Sequence, residues 1–322
     1  MKKFSYILGT GGYLPAKTLS NKDMEKIVDT TDEWIVERTG IRNRHIMGPD
    51  ENTTSMALAA AQRAIEAAKI DPKKIQLIIV ATSLPDNLFP NTAVKVQKAL
   101  GLDSKDIPAF DISAACSGFI YALSIADQYI KNGSVENALI IGSESLSRIV
   151  DWSDRTTCIL FSDGAGAAVI GASDEPGVYS THLHANGSYT DLLYLSGSLY
   201  DYKNPEPRYL RMRGNEVFKV AVNKLGSVVD ETLTSNKIDK SEIDWLVPHQ
   251  ANLRIITAMA KKLNVSMDKV ILTIEDQANT SAASIPLALD IGIRDGRIKR
   301  GDLMLLEAFG AGFVWGASLI RY

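Results

Sequence analysis

The chain has 322 residues, 45% hydrophobic and 23% charged, a composition that suits a globular protein large enough for two packed units. Its formal net charge of −3 gives no global attraction for nucleic acid, so any basic partner surface has to be local. No apolar run reaches membrane-spanning length, and the two cysteines, Cys116 and Cys158, form no repeated pattern, which fits a reducing cytoplasm better than a disulfide framework.

At the start, the short apolar stretch through Leu8 soon meets Gly9, Gly11, Gly12 and then Pro15, too early for a signal-peptide core. These glycines, like those in Asp163-Gly164-Ala165-Gly166, lack the spacing and the Lys-Ser/Thr ending of a nucleotide loop, so tight turns and close packing account for them. Residues 54–68 are alanine-rich with a polar face and predict a helix. Continuous apolar runs at 77–81, 138–142, 165–170 and 303–307 predict strands buried on both faces, while 215–234 and 253–263 carry helical apolar spacing. The alternation predicts layered α/β units with parallel strands. A seam near Ser173–Gly177 divides the chain into residues 1–174 and 175–322.

The two parts resemble each other. Asp71-Pro72-Lys73-Lys74-Ile75 before one strand matches Asp239-Lys240-Ser241-Glu242-Ile243 before another, which sets Ala81 against His249. Counting back equal distances from the helix endings at Gly133 and Gly296 sets Cys116 against Asn279. A thiol, an imidazole and a carboxamide at related element ends are the groups of a covalent catalyst with two polar assistants.

Cys116 sits in Ser113-Ala114-Ala115-Cys116-Ser117-Gly118, between a strand and the helix running to Gly133. A helix N-terminus favours thiolate over thiol, and the small neighbours leave room for a substrate. His249 follows the apolar strand Trp245-Leu246-Val247, at the strand end where open α/β sheets bind ligands, with Asn252 just inside the next helix. Asn279 opens the helix that Gly296 closes, where a plain helix cap is the competing explanation. His182 and His184 share a strand face without supporting ligands, so no metal site is expected, and Cys158 reads as core.

The chain resembles the β-ketoacyl-acyl-carrier-protein synthase III family nearly end to end. The likeness is carried by Asp32-Glu33-Trp34-Ile35-Val36-Glu37-Arg38-Thr39-Gly40, the Cys116 segment, Gly214-Asn215-Glu216-Val217-Phe218-Lys219, Pro248-His249-Gln250-Ala251-Asn252, Asn279-Thr280-Ser281-Ala282-Ala283-Ser284 and Glu307-Ala308-Phe309-Gly310. The resemblance implies a thiolase-like fold, with duplicated βαβαβαββ halves stacked as α-β-α-β-α layers. It implies a decarboxylative condensation, without metal or cofactor, of a short acyl-CoA such as acetyl-CoA with malonyl-acyl-carrier protein. By it, Cys116 carries the acyl group, and His249 and Asn279 stabilise the enolate. Phe309 favours loss of the carboxylate, and the backbone N–H groups of Cys116 and Ala311 form an oxyanion site. Trp34 and Arg155 would sandwich the adenine of CoA beside Thr30, Arg38 would meet its pantetheine or phosphate end, and Gly214 and Asn252 would lie along the pantetheine path. Phe89 would reach the acyl pocket of a second copy in a homodimer. An acidic carrier protein would dock on Lys219, Arg254, Lys261 and Lys262.

Two departures from the family pattern bear on loop geometry: Ala311 in Gly310-Ala311-Gly312, where glycine is expected, and Asp276-Gln277-Ala278, where a basic, glycine-containing run is expected. Two rival readings are a related condensing enzyme with another primer or extender, and a cysteine thioesterase in which His249 and Asn279 act as a base and its orienter.

Overall fold

The computed structural model describes residues 4–196 and 208–322. Its strands are β1 (Phe4–Tyr13), β2 (Thr18–Ser20), β3 (Asn43–His45), β4 (Leu77–Ala81), β5 (Ala109–Ile112), β6 (Asn137–Ser145), β7 (Asp163–Ser173), β8 (Val178–Ala185), β9 (Leu193–Leu195), β10 (Leu210–Met212), β11 (Trp245–Pro248), β12 (Leu303–Gly310) and β13 (Val314–Arg321). The helices are α1 (Asn21–Met24), α2 (Asp32–Thr39), α3 (Thr53–Ala68), α4 (Thr92–Ala99), α5 (Gly118–Lys131), α6 (Gly214–Asn236), α7 (Leu253–Leu263), α8 (Ile274–Gln277) and α9 (Ser284–Arg294).

Two main sheets form, ordered β1-β7-β6-β4-β5 and β11-β12-β13-β8, and each draws its strands from one side of residue 174. Each half runs strand and helix in the same sequence. A single parallel bridge from Leu246 to Val270 stands in the second sheet where β5 pairs with β4 in the first. Helices α5 and α9 lie between the sheets, α3 and α4 cover the first, and α6 and α7 cover the second, giving α-β-α-β-α layers. The layers meet mainly through apolar side chains: Met56, Ala60 and Val80 lie outside, Phe119, Leu123 and Leu289 at the centre, and Val228, Met259 and Leu305 beneath α6 and α7.

The expectation of parallel strands holds only for β5-β4-β6 and β11-β12, because β7 runs antiparallel to both β1 and β6, and β13 to both β12 and β8. The Ala311–Phe313 link between β12 and β13 is too short for a crossover, so those strands must run antiparallel. The early glycines are a packing feature. A Cβ on Gly11 would sit 2.4 Å from the Ala60 carbonyl oxygen, so strand and alanine-faced helix meet backbone to backbone.

The pairing of Cys116 with Asn279 is also corrected. Helix α5 has 14 residues and α9 has 11, so matching the helix ends misaligns their beginnings. The starts share a detail: Ala115 and Ser281, each in a 3₁₀ turn before its helix, have φ of 44° and 50°. On that register Cys116 lies opposite Ala282, and Asn279 opposite Ser113. The duplication therefore pairs the two helix entrances, while the chemical groups at them occupy different steps.

The departure before Asn279 carries strain. Ala278 has φ 50° and ψ −155°, a region that glycine occupies freely and a Cβ opposes. We expect Ala278→Gly to stabilise the protein by on the order of 1 kcal/mol after the added unfolded-state entropy is subtracted. A denaturant titration of the two proteins reads this directly, and a midpoint unchanged or lowered in the variant contradicts it.

Candidate active site

A cavity of about 450 Å³ is lined at its buried end by Cys116, His249, Asn279 and Phe309 and at its exposed end by Trp34, Arg38, Gly214 and Asn252. These groups come from the entrances of α5 and α9, the C-terminal ends of β11 and β12, and helices α2, α6 and α7. The site therefore spans both halves.

Cys116 lies in a 3₁₀ turn two residues ahead of α5. Although the residue opens onto the cavity, burial pushes its thiol up to about 12; a hydrogen bond from Ser281 opposes the rise and the nearby Glu144 carboxyl adds to it. The expected thiolate is therefore not the resting form. A helix N-terminus acts over about one turn and is outweighed here by desolvation.

His249 is buried, and its pKa falls to about 3 because burial disfavours the imidazolium. Nδ1 lies 2.6 Å from the Ser284 hydroxyl, which accepts a 3.4 Å hydrogen bond from the Gln250 N–H. Ser284 then donates to Nδ1, so Nε2 carries the proton and serves as a neutral donor. Asn279 is fixed differently. Its N–H donates to the Leu160 carbonyl, its carbonyl accepts from the Ser162 N–H, and Oδ1 accepts from the Ser281 N–H at 2.8 Å. Asn279 is thus a turn former and not the cap of α9, and among the described residues its Nδ2 has no protein partner. Asn279 does not touch the bonded nitrogen of His249, which removes the orienter that the thioesterase reading requires.

Phe309 packs against Phe313 with ring centroids 4.5 Å apart, giving the cavity an apolar wall. A Cβ on Gly310 would sit 2.7 Å from the Cys116 nitrogen, so the loop carrying Ala311 presses on the Cys116 backbone. Ala311 does not have a positive φ, and alanine there costs no backbone strain.

At the exposed end the Trp34 ring has two guanidinium groups near it, Arg38 at 4.4 Å and Arg155 at 5.2 Å from its centroid. Arg155 also donates to the Asp29 carbonyl at 2.9 Å. A purine enters between Trp34 and Arg155 only if this arginine swings outward. Thr30 precedes the N-cap Thr31 of α2, and its buried hydroxyl has no partner among the described residues. Asn252 caps α7 and donates to the Arg38 carbonyl at 3.0 Å, joining α7 to α2.

Lys219, Arg254 and Lys261 are exposed on the adjoining helices α6 and α7, with Arg254 over the Phe218 ring at the cavity rim. Lys262 differs from them: its side chain lies across Gly226 of α6. Phe89 does not line the cavity and stands 85% exposed beside the exposed Leu88. Cys158 is core, and His182 and His184 both bond one carboxylate, Glu231.

Sequence reasoning passed over four buried polar groups. Ser281 and Ser284 orient Asn279 and His249, Glu144 bonds Ser281, and the Glu307 carboxyl lines the cavity with one oxygen unpartnered. Burial pushes Glu307 up to about 8, so it is mostly uncharged at neutral pH. For the two glutamates the signal was an acidic residue late in a strongly apolar strand, as in Ile140-Ile141-Gly142-Ser143-Glu144; Ser281 and Ser284 carried none.

Comparison with known proteins extends these observations. Residues 110–187 match the 3-oxoacyl-[acyl-carrier-protein (ACP)] synthase III model and 233–322 its C-terminal model. The chain is 58% identical over 323 residues, all of both chains, to the β-ketoacyl-[acyl-carrier-protein] synthase III of Methylococcus capsulatus. The crystal structure of the Aquifex aeolicus 3-oxoacyl-[acyl-carrier-protein] synthase III superposes with a TM-score of 0.93 at 49% identity, covering 99% of this chain and 100% of that one. The priming β-ketosynthase of the R1128 polyketide pathway superposes at 0.96 with 38% identity, covering 99% and 96%. With its thiolase-like layers and a full-length match of this identity, the chain belongs to the β-ketoacyl-[acyl-carrier-protein] synthase III family, acyltransferases that perform the condensation initiating fatty-acid synthesis.

Proposed function

We propose that the chain condenses a short acyl-CoA, acetyl-CoA in the first place, with malonyl-acyl-carrier protein, and that Cys116, His249 and Asn279 carry the reaction. One observation supports this most: a single cavity joins a buried thiol and two neutral N–H donors to a cationic, aromatic mouth. In the first half-reaction the Cys116 sulfur adds to the thioester carbonyl, the C–S bond to CoA breaks, and the CoA thiolate takes a proton at the mouth. The acyl group is then held on sulfur. In the second, the malonyl thioester loses CO₂ and the electron pair moves onto the thioester oxygen as an enolate. Its carbon attacks the acyl group, and the C–S bond to Cys116 breaks.

The enolate is where the protein has most to contribute. Nε2–H of His249 and Nδ2–H of Asn279 are donors already desolvated and fixed by Ser284 and Ser281, so they stabilise charge as it develops without reorganising. The apolar ring of Phe309 offers a carboxylate no favourable partner, which favours its loss. Acyl transfer uses the backbone N–H groups of Cys116 and Ala311. Trp34, Arg38 and Arg155 hold the adenine and phosphates of CoA, with Thr30 at the edge.

The partners are an acidic acyl carrier protein and a second copy of the chain. Lys219, Arg254 and Lys261 form the carrier dock, and Lys262 contributes less because its stem covers Gly226. Homodimer formation rests on the exposed Leu88 and Phe89 and on β5, an edge strand of its sheet. No helix among the described residues is long and apolar enough to cross a membrane, and a cytoplasmic setting agrees with two unpaired cysteines. The R1128 likeness leaves primer choice to the side chains around Phe161 and Leu193, which line the cavity.

Cys116→Ala is expected to lose acylation and condensation, while Cys158→Ala changes activity little. His249→Ala and Asn279→Ala should lose malonyl decarboxylation by about a hundredfold or more and acyl transfer by less. Assays of the separate half-reactions decide this, and equal losses in both refute the division of roles. Reversing charge at Lys219, Arg254 and Lys261 together should raise the KM for malonyl-carrier protein, as added salt does, and leave acylation by free acyl-CoA nearly unchanged. An unaltered KM at low salt rules the dock out. Sedimentation should give a dimer for the native chain and a weakened one for Phe89→Asp; a native monomer at micromolar concentration contradicts it.

A further inference from the structure

The chemistry above needs an acceptor for the Cys116 proton, and His249 is poorly suited. An imidazole whose pKa lies near 3 holds a proton far more weakly than a thiol near 12 releases one. The turn that orients Asn279 also meets another buried group. The Ser281 hydroxyl donates to Glu144 Oε1 at 3.2 Å, and the turn that carries Ser281 packs against the turn that carries Cys116. Glu144 is the penultimate residue of β6 and has no solvent exposure.

Its other partners are the Ser83 N–H, at 3.2 and 3.1 Å from the two carboxyl oxygens, and the Thr82 hydroxyl at 3.4 Å, both following β4. Among the described residues no cation pairs with it. The charged groups on neighbouring segments are engaged elsewhere. Asp163 on β7 accepts from the Met47 and Ser147 N–H groups, and Asp86 pairs with Arg148 at 3.4 Å. Cys116 is thus the titratable group that Glu144 faces through Ser281. A buried carboxyl without a counter-ion, joined by one hydroxyl to the turn packed against the nucleophile's, has no structural explanation as an ion pair.

We propose that Glu144, acting through the Ser281 hydroxyl, accepts the Cys116 proton as the sulfur attacks the acyl thioester and returns it when the sulfur is expelled. The inference rests on Cys116 being the nucleophile. In acylation the S–H proton passes to Ser281 Oγ while the Ser281 hydroxyl proton passes to the Glu144 carboxylate. The sulfur lone pair forms the C–S bond, and the departing CoA thiolate takes its proton from solvent. In condensation the C–S bond breaks, Ser281 gives its proton to the Cys116 thiolate, and the Glu144 carboxyl restores the hydroxyl. Glu144 ends the cycle as the carboxylate with which it began, and one solvent proton is consumed per turnover, by CoA. Burial raises the Glu144 carboxyl to about 8, so only part of the enzyme holds the accepting carboxylate at neutral pH. Acylation should then rise with pH up to about 8 and level off above it.

Single-turnover acylation by acetyl-CoA, followed by rapid quenching and intact-protein mass, reads the step. Glu144→Gln keeps the shape and a donor for Ser281 but cannot accept the proton. It should acylate about a hundredfold more slowly, lose the inflection near pH 8, and lose at least tenfold more in acylation than in malonyl decarboxylation. Glu144→Asp should recover part of the rate, and Ser281→Ala, which retains the backbone N–H that holds Asn279, should lose the inflection as well. Acylation of Glu144→Gln within threefold of the native rate overturns the proposal, as does an inflection that survives in Ser281→Ala. Equal loss of acylation and decarboxylation also overturns it, because a packing defect would give that pattern. Cys116→Ala separates the two readings: if it still forms an acyl-enzyme the nucleophile is wrong, whereas an inert Cys116→Ala beside a fully active Glu144→Gln removes only the relay.

Discussion

The site depends on two helices entering the space between two sheets side by side. The entrances pack against each other, with a Cβ on Gly118 reaching 3.3 Å from that of Ala282, and the α9 entrance lies so close to β6 that a Cβ on Gly142 would sit 2.2 Å from the Ala282 carbonyl oxygen. No side chain fits between the sheet and that turn. The approach brings the segment carrying Asn279 and Ser281 against the one carrying Cys116. Ala115 and Ser281, both at positive φ, make the sharp change of direction that each chain needs to enter its helix from the sheet.

Burial then does two opposite things. It removes the water that would compete with His249 and Asn279 for an acceptor in the cavity, so each N–H acts at low effective dielectric. It also disfavours every charge in the pocket. Lowering His249 from 6.5 to about 3 corresponds to on the order of 5 kcal/mol against the imidazolium, which leaves the ring a neutral donor. The same desolvation raises the pKa of the thiol and of the carboxyls of Glu144 and Glu307. A dry pocket suits enolate formation and makes nucleophile activation harder, which is why the hydroxyl contacts at Ser281 and Ser284 carry so much of the arrangement.

The mouth is built on another principle. Trp34, Arg38 and Arg155 are partly or fully exposed, and the charges of the two arginines are screened by solvent and salt. They suit reversible capture of an anionic, planar ligand better than tight enclosure. The cavity links these environments, with Asn252 fastening α7 to α2.

The sequence by itself determined the layered fold, because apolar runs long enough to be buried on both faces alternate with helices of one apolar stripe. It also picked out Cys116, His249 and Asn279 through motifs whose spacing survives in linear order. It did not determine that β1, β7 and β13 run antiparallel, since a buried strand reads the same in either direction. Matching helix ends misaligned the two halves, because helix length is set by packing at the far end and not at the active entrance. Ionisation was also beyond it: the thiol looked activated by a helix N-terminus, and only the tertiary structure encloses it so that desolvation dominates. Ser281, Ser284, Glu144 and Glu307 looked ordinary in the chain. Their partners lie tens to hundreds of residues away, and a hydrogen bond of that kind exists only after the two halves have closed on each other.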